Sequence, residues 1–370
     1  MRFRQFRDDW SIKRLSDIAE VVGGGTPDTT DSTLWNGDIQ WFTPTEVGHS
    51  KYVSSSIRTI SQLGLQKSSA KILPAGSILL SSRATVGECS ITQKDCTTNQ
   101  GFQNLIPKKG INNEFLYYLA QTQKRHFIKY ASGSTFLEIS NSEIKKTKCA
   151  VPSIEEQTEI ATFLSAIDRK IEVQNKIISK YETLIKGIRE RVVSGSWQWK
   201  KLDELIQEGV VRLNRGNIIP KHQKDNTYKY PVYSSSTQNN GLMGYNNTYM
   251  FDKELITWSI DGGGNFFYRK KHKFNVTNVC GIMQVDENVY SYRFIAEMLT
   301  YQHSKMKFDY QSKAHPSVIS SLYSLPCLPI LEQNSYCQLF VALDRKMQIE
   351  QYGLNKLKEQ KKYLLSKMFI

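Results

Sequence analysis

The chain has 370 residues, 39% hydrophobic and 11% aromatic, which is enough for two or three domains with ordinary cores. No run of eighteen apolar residues occurs and "MRFRQFRDDW" carries no apolar leader, so membrane functions drop out and the expected location is cytoplasmic. Six cysteines without a CxxC pair argue against a metal site, while a formal net charge of +14 and a pI near 9.3 point to a polyanionic partner.

Residues 1–152 read as a first globular block. It opens on "WSIKRLSDI", with Trp10, Lys13, Leu15 and Asp17 as landmarks. "GGG" at Gly23 to Gly25 lies in no strand–GxGxxG–helix unit, so it predicts tight turns close to other backbone and no cofactor loop. "ILLSSRATVG" (Ile78 to Gly87) is a short apolar strand running into a polar turn, "TTNQGFQNLI" a second strand, and "FLYYL" from Phe115 the start of a short helix.

Residues 153–195 predict a long helix. Ser153 with Glu156 forms a capping box at its start, and Gly195 supplies the stop. Apolar residues recur at Ile160, Leu164, Ile167, Ile171, Ile178, Tyr181, Ile185, Ile188 and Val192, stepping by four and three, with Gln174 at the one polar place. That is a heptad seam on a helix roughly 60 Å long.

The same order then repeats. Residues 196–329 form a second block, opening with Trp197, Lys200, Leu202 and Glu204; "LITWSIDGGG" parallels the first polar turn, "VTNVCGIMQV" the second strand, and "FIAEML" the short helix. Residues 330–370 form a second long helix whose seam reads Tyr336, Phe340, Leu343, Met347, Glu350, Leu354, Leu357, Lys361, Leu364 and Met368. "FLSAIDRK" (Phe163 to Lys170) and "LFVALDRK" (Leu339 to Lys346) keep one register, and Glu350 aligns with Gln174. These two polar residues fit either a loose, wet point of the seam or a buried pair that fixes register. Lys361 on the seam predicts looser packing at the far end. Each stripe needs a partner stripe, so the two helices are expected to pack on each other.

The landmarks are shared, but "GGGTPDTTDSTLWNGDIQWFTPTEVGHSKYV" has no counterpart in the second block. Two like folds with unlike surfaces suggest two related readers with different targets. The basic excess lies mainly in them: 19 Lys+Arg against 13 Asp+Glu in residues 1–150 and 16 against 11 in 196–325, compared with 7 against 7 in 151–195 and 7 against 4 in 326–370.

"EEQTEIATFLSAIDRKIE" and "LEQNSYCQLFVALDRKMQ", each following a Pro and heading a long helix, with a "W…K…L" block before each, resemble the specificity subunit of type I restriction-modification enzymes over essentially the whole chain. The resemblance implies an α/β (α+β) fold of two target recognition domains joined by two long antiparallel coiled-coil helices, with a pseudo-two-fold internal repeat. It implies that each block reads half of a bipartite, asymmetric double-stranded DNA site, and that the helices set the gap and dock two methyltransferase (modification) subunits, which restriction/translocase subunits join. S-adenosylmethionine, ATP and Mg²⁺ are then expected on those partners and no cofactor on this chain. A stiff pair of roughly 60 Å exceeds one DNA turn of roughly 34 Å, as a ruler requires. Related readings are a specificity subunit of a modification-only or other methyltransferase-based defence system; a coiled-coil scaffold binding protein or RNA fits the heptads but not the divergent repeats.

No GxxxxGK[ST] loop, Asn-Pro-Pro-aromatic motif, HExxH or triad pattern is present, so no catalytic role is expected. For base reading the first candidate is Arg83 beside Ser81 and Ser82, with an ion pair inside the block as the alternative; Thr43, Thr45 and Gln100 follow. In the second block the candidates are Ser234, Ser235, Ser236, Thr237, Gln238, Asn239, Arg269 and His272. Phosphate candidates are Lys51, Lys67, Lys71, Lys94, Lys221, Lys224, Lys270, Lys271 and Lys273, against the alternative of solvated surface charge.

Overall fold

The computed structural model describes residues 2–133, 137–219, 229–236, 238–261, 263–306 and 313–369. Two compact units emerge: unit 1 comprises Met1–Asn175 with Tyr352–Ile370, and unit 2 comprises Lys176–Gln351. The long helices, Ile154–Val193 and Ile330–Met368, each give one half to each unit.

Both units start alike. Strand Ser11–Arg14 pairs antiparallel with Lys148–Val151, and Trp199–Lys201 with Ser324–Pro326, so each block closes where its long helix begins. A short helix follows. The Asp17 carboxylate accepts from the Arg14 amide at 2.8 Å, and Glu204 from the Lys201 amide at 3.3 Å, while Leu15 and Leu202 are fully buried. The repeated Leu-x-Asp/Glu landmark is thus a helix start and a core anchor.

The sheets share an order. In unit 1 it runs Ala19–Gly23, Gln103–Pro107, Ile78–Leu80, Cys89–Thr92, Tyr52–Val53; in unit 2 it runs Val211–Arg215, Cys280–Val285, Phe251–Ser259, Phe266–Val276, Tyr230–Tyr233. In both, the first four strands are antiparallel neighbours and the fifth joins in parallel. The units differ beyond this frame. Unit 1 adds a three-stranded sheet of Arg58–Ile60, Trp35–Phe42 and Cys96–Thr98, whereas unit 2 extends its main sheet with Leu242–Asn246. A Cβ on Gly24 would lie 2.0 Å from the Asn99 carbonyl oxygen, and one on Gly216 2.2 Å from that of Val276. Glycine is required wherever two backbones pass this closely.

The unit 1 core places Ile78, Leu80, Ile91 and Leu105 against Phe115, Leu116 and Leu119 of helix Asn113–Thr122, then against Ile160, Leu164, Ile167, Leu364 and Met368 of the long helices. Unit 2 repeats this with Ile256, Trp258, Phe266 and Met283, with Phe294, Ile295 and Met298 of helix Tyr292–Lys305, and with Val192 and Tyr336. Full burial of such a side chain contributes about 1.5–3 kcal/mol.

Along the seam Ile160, Leu164, Ile167, Ile178, Ile185, Phe340, Leu354 and Leu364 are buried, and Ile171, Tyr181, Leu343, Met347 and Leu357 half-buried, as are Gln174 and Glu350. Within unit 1 the helix halves run antiparallel: Asp168 meets Lys361 at 2.7 Å, and Gly353 lies beside Gln174 further along. Two expectations are corrected. Lys361 does not mark loose packing: it is mostly buried in its ion pair, and Leu364 and Met368 beyond it are 5% and 4% exposed. Glu156 does not close a capping box; Ser153 accepts from the Glu156 amide at 3.3 Å, but the Glu156 carboxylate accepts from Arg2 at 2.7 Å and from Trp10 at 3.2 Å. A cation and an indole from the chain's start outcompete the local backbone amide.

Candidate nucleic-acid interface

Two devices hold each globular block to its helices. The buried Gln157 accepts from the Asn112 amide at 3.0 Å and donates to the Pro152 carbonyl at 3.0 Å; Gln333 accepts from the Ser291 amide at 3.0 Å and donates to the Leu328 and Val289 carbonyls at 2.8 and 2.9 Å. One amide thereby satisfies backbone groups that burial would otherwise orphan, which is why "EQ" recurs at both helix starts. The repeated Asp is the second device. Asp168 accepts from the Tyr118 hydroxyl at 2.5 Å and pairs with Lys361, while Asp344 pairs with Arg293 at 2.7 Å. Arg293 also pairs with buried Glu297, which meets Arg189 at 2.5 Å.

On unit 1 the polar turn Ser81–Gly87 is pinned by the Gly87 amide donating to Ser81 at 2.9 Å, with Ala84 in the left-handed region at φ 62°. Arg83 stands exposed on it, 3.9 Å from Glu138, and with Pro44, Ala84, Asn99, Gln100 and Gly101 lines an open cleft of about 280 Å³. Thr45 and Gln100 are exposed nearby, and the Thr43 hydroxyl donates to Glu46 at 2.7 Å. The exposed Arg58, absent from the sequence-based candidates, lies with its guanidinium 3.5 Å over Trp35 and 5.5 Å from Trp41. The two tryptophans, six positions apart on one strand, were its only sequence signal.

Three unit 1 candidates are misplaced for surface contacts. Ser81 and Ser82 are fully buried, Ser81 donating to the Arg83 carbonyl at 3.0 Å, so they build the turn. Lys51 is half-buried and engaged, pairing with Glu114 at 3.0 Å and donating to Ser165 at 2.6 Å and Tyr118 at 3.1 Å. Burial pushes the Lys51 ammonium below its ordinary pKa, partly offset by Glu114. Burial would push Glu114 up, but hydrogen bonds from Ser165, Tyr52 and Lys51 hold it below the usual carboxylate range. Lys67, Lys71 and Lys94 are exposed.

On unit 2, strand Phe266–Val276 carries exposed Lys270, Lys271 and Lys273. Aromatic rings are interleaved with them. Lys273 lies 4.6 Å over Tyr249, the Tyr233 hydroxyl is 3.1 Å from His272 Nε2, and His272 stacks on Phe274 at 4.7 Å. Met243, Tyr245 and Tyr249 are exposed large side chains nearby in the chain that sequence reasoning passed over. Of the serine run, Ser234 and Ser235 are half-buried and Ser236 exposed; Gln238 and Asn239 are exposed, with Asn239 and Asn240 at φ 48° and 51°. Arg269 is buried, not a surface residue, at 4% exposure. Thr237, Lys221 and Lys224 lie outside the described residues. An exposed cation beside an exposed ring, as in Lys273 over Tyr249, can meet both phosphate and base. Among the described residues no cluster of His, Cys, Asp and Glu has metal-holding geometry, and no helix is long and apolar enough to cross a membrane.

A duplicated α/β block carried on an antiparallel helical pair is the class of protein these features define. The chain belongs to the type I restriction modification DNA specificity domain family, which matches residues 7–183 and 195–359. It is 42% identical over 179 residues to the MjaIX specificity subunit of Methanocaldococcus jannaschii, covering 46% of this chain and 41% of that protein. With the EcoR124I/EcoR124II specificity subunit of Escherichia coli it shares 27% identity over 203 residues, 50% of each chain. The EcoprrI specificity subunit of Escherichia coli is 26% identical over 301 residues, 72% of this chain and 73% of that one. The chain thus spans about half or less of the length of the first two relatives. Its fold is similar to that of a type I restriction-modification S subunit from M. genitalium, at a TM-score of 0.65 and 17% identity, over 100% of this chain and 99% of that one.

Proposed function

We propose that this chain is the non-catalytic, cytoplasmic specificity subunit of a type I restriction-modification complex, in which unit 1 and unit 2 each read one half of a bipartite, asymmetric DNA site. One observation carries the reading: the units share sheet order, helix start and helix clamps, yet present different exposed side chains on that frame, Arg58 and Arg83 in unit 1 and Lys270, Lys271, Lys273, Tyr245 and Tyr249 in unit 2. Conserving the mount while varying the face is what a two-target reader requires. In this reading Arg83, Thr43, Thr45 and Gln100 face one half-site and the Lys270 to Lys273 strand with Gln238 and Asn239 the other. The long helices set the gap and dock two methyltransferase subunits, with restriction subunits joining them; S-adenosylmethionine, ATP and Mg²⁺ belong to those partners.

The test is sequencing of methylated bases in cells that express this chain with its partner methyltransferase, against cells lacking the chain. A new bipartite, asymmetric methylated motif is the expected result. Absence of chain-dependent methylation overturns the reading and returns the helices to a scaffold role.

A further inference from the structure

The buried or half-buried cations Lys51, Arg189, Arg293, Arg2 and Lys361 each meet a carboxylate. Arg269 is the exception. It is 4% exposed and forms no ion pair among the described residues. Its Nε donates to Thr257 Oγ1 at 2.9 Å and its plane lies 3.6 Å over the Tyr233 ring, but Nη2 is buried without a partner. Burial pushes this guanidinium down to about 10. An isolated buried cation is costly, and such a group persists when something else completes it.

The fold does not ask for this arginine. Ile78 pairs with both Ile91 and Leu105, and Ile256 with both Tyr268 and Met283, so the next residue after Tyr268, Arg269, stands where unit 1 has Thr92. Thr92 satisfies itself locally by donating to the Lys94 carbonyl at 2.6 Å. Arg269 instead lines a cavity of about 230 Å³ with Asn240, Phe267, Arg293, Thr300 and Glu297, whose carboxylate is already paired with Arg189 and Arg293, and the following residues Lys270, Lys271 and Lys273 are exposed. The Nε of Arg293 is also buried and unpartnered.

We propose that this cavity is an oxyanion site in which Arg269 holds one phosphate of the DNA backbone, an assignment that rests on unit 2 being a DNA reader. A phosphate is convex, protrudes from the duplex and carries the charge that the cation lacks; a base edge is recessed in its groove and neutral. Asn240 and Thr300 on the cavity wall add neutral hydrogen-bonding groups, and the exposed lysines draw the duplex toward the strand.

Three proteins decide it: the full wild-type chain, Arg269→Met and Arg269→Lys. Each is assembled with its methyltransferase partner and titrated by fluorescence anisotropy at several salt concentrations. Two duplexes are used, one carrying the wild-type methylated motif and one scrambled. Arg269→Met is expected to weaken both duplexes by the same factor, to lower the slope of log K against log salt by about 1, to leave the methylated motif unchanged, and to melt no lower than wild type. Arg269→Lys is expected to restore the slope. An unchanged slope overturns the assignment, as does a motif altered at one base, which would make Arg269 a base reader. A melting loss that Lys rescues without rescuing the slope assigns it a structural role instead. Failure of the wild-type chain to direct any bipartite motif strikes the DNA-reading function itself, an outcome none of the variants can mimic.

Discussion

Units 1 and 2 clamp their helices at the same positions with different chemistry. Asp168 and Asp344 occupy one register, but the first is held by a neutral hydroxyl and a lysine from the opposite helix, the second by an arginine that also serves Glu297. Aligning Phe115 with Phe294 places Tyr118 opposite Glu297 and Glu114 opposite Arg293. Duplication has therefore kept the acceptor and exchanged the donor. What is constrained is the presence of a satisfied, half-buried carboxylate at the helix face, not the residue that satisfies it.

Five substitutions break or sharpen that comparison. Glu297→Ala leaves the half-buried Arg189 without its carboxylate while Arg293 keeps Asp344, and is expected to cost about 3 kcal/mol in urea unfolding, the largest of the set. Gln157→Leu and Gln333→Leu each orphan one backbone amide and its carbonyl partners, at about 2–3 kcal/mol. The two costs should agree to about 0.5 kcal/mol; a larger gap would show that the two mounts are not equivalent. Tyr118→Phe removes one charge-assisted hydrogen bond while Lys361 still serves Asp168, so about 1.5 kcal/mol is expected. Arg83→Ala breaks an exposed pair with Glu138 and should change stability by less than about 1 kcal/mol.

Acid separates the units as well. Glu114 has a depressed folded pKa, so its contribution is complete above the unfolded carboxylate value and is lost as pH falls through the folded one. Unit 2 has Arg293 at the matching place. Glu114→Gln should therefore flatten the acid limb of stability, measured by thermal melting between about pH 5 and pH 2; an unchanged limb would assign acid sensitivity to other carboxylates.

Periodic and repeated features were legible in the sequence. The seams, the two octets and the Leu-x-Asp/Glu starts encode local or repeating geometry, and the structure places them in the helices and cores described. Burial of single polar residues was not legible. Lys51 is drawn inward because Glu114 and Ser165, far along the chain, converge on it, and Glu156 is drawn from its own cap by Arg2. Ser81 and Ser82 look like surface residues in composition but sit inside a turn whose fold needs both backbones hidden. The reader faces were hardest, because Arg58 on Trp35 and Lys273 on Tyr249 depend on strand register alone.

Unit 2 is one uninterrupted stretch, Lys176–Gln351, whereas unit 1 needs Tyr352–Ile370 in addition to Met1–Asn175. During synthesis the first block therefore leaves the ribosome with Leu364 and Met368 missing from its core and no Lys361 for Asp168. The block translated second is able to close first. The block translated first waits, with an apolar face and a carboxylate open, until the end of the second helix arrives. Any early stop between residues 352 and 364 would thus disable the half made first and spare the half made last.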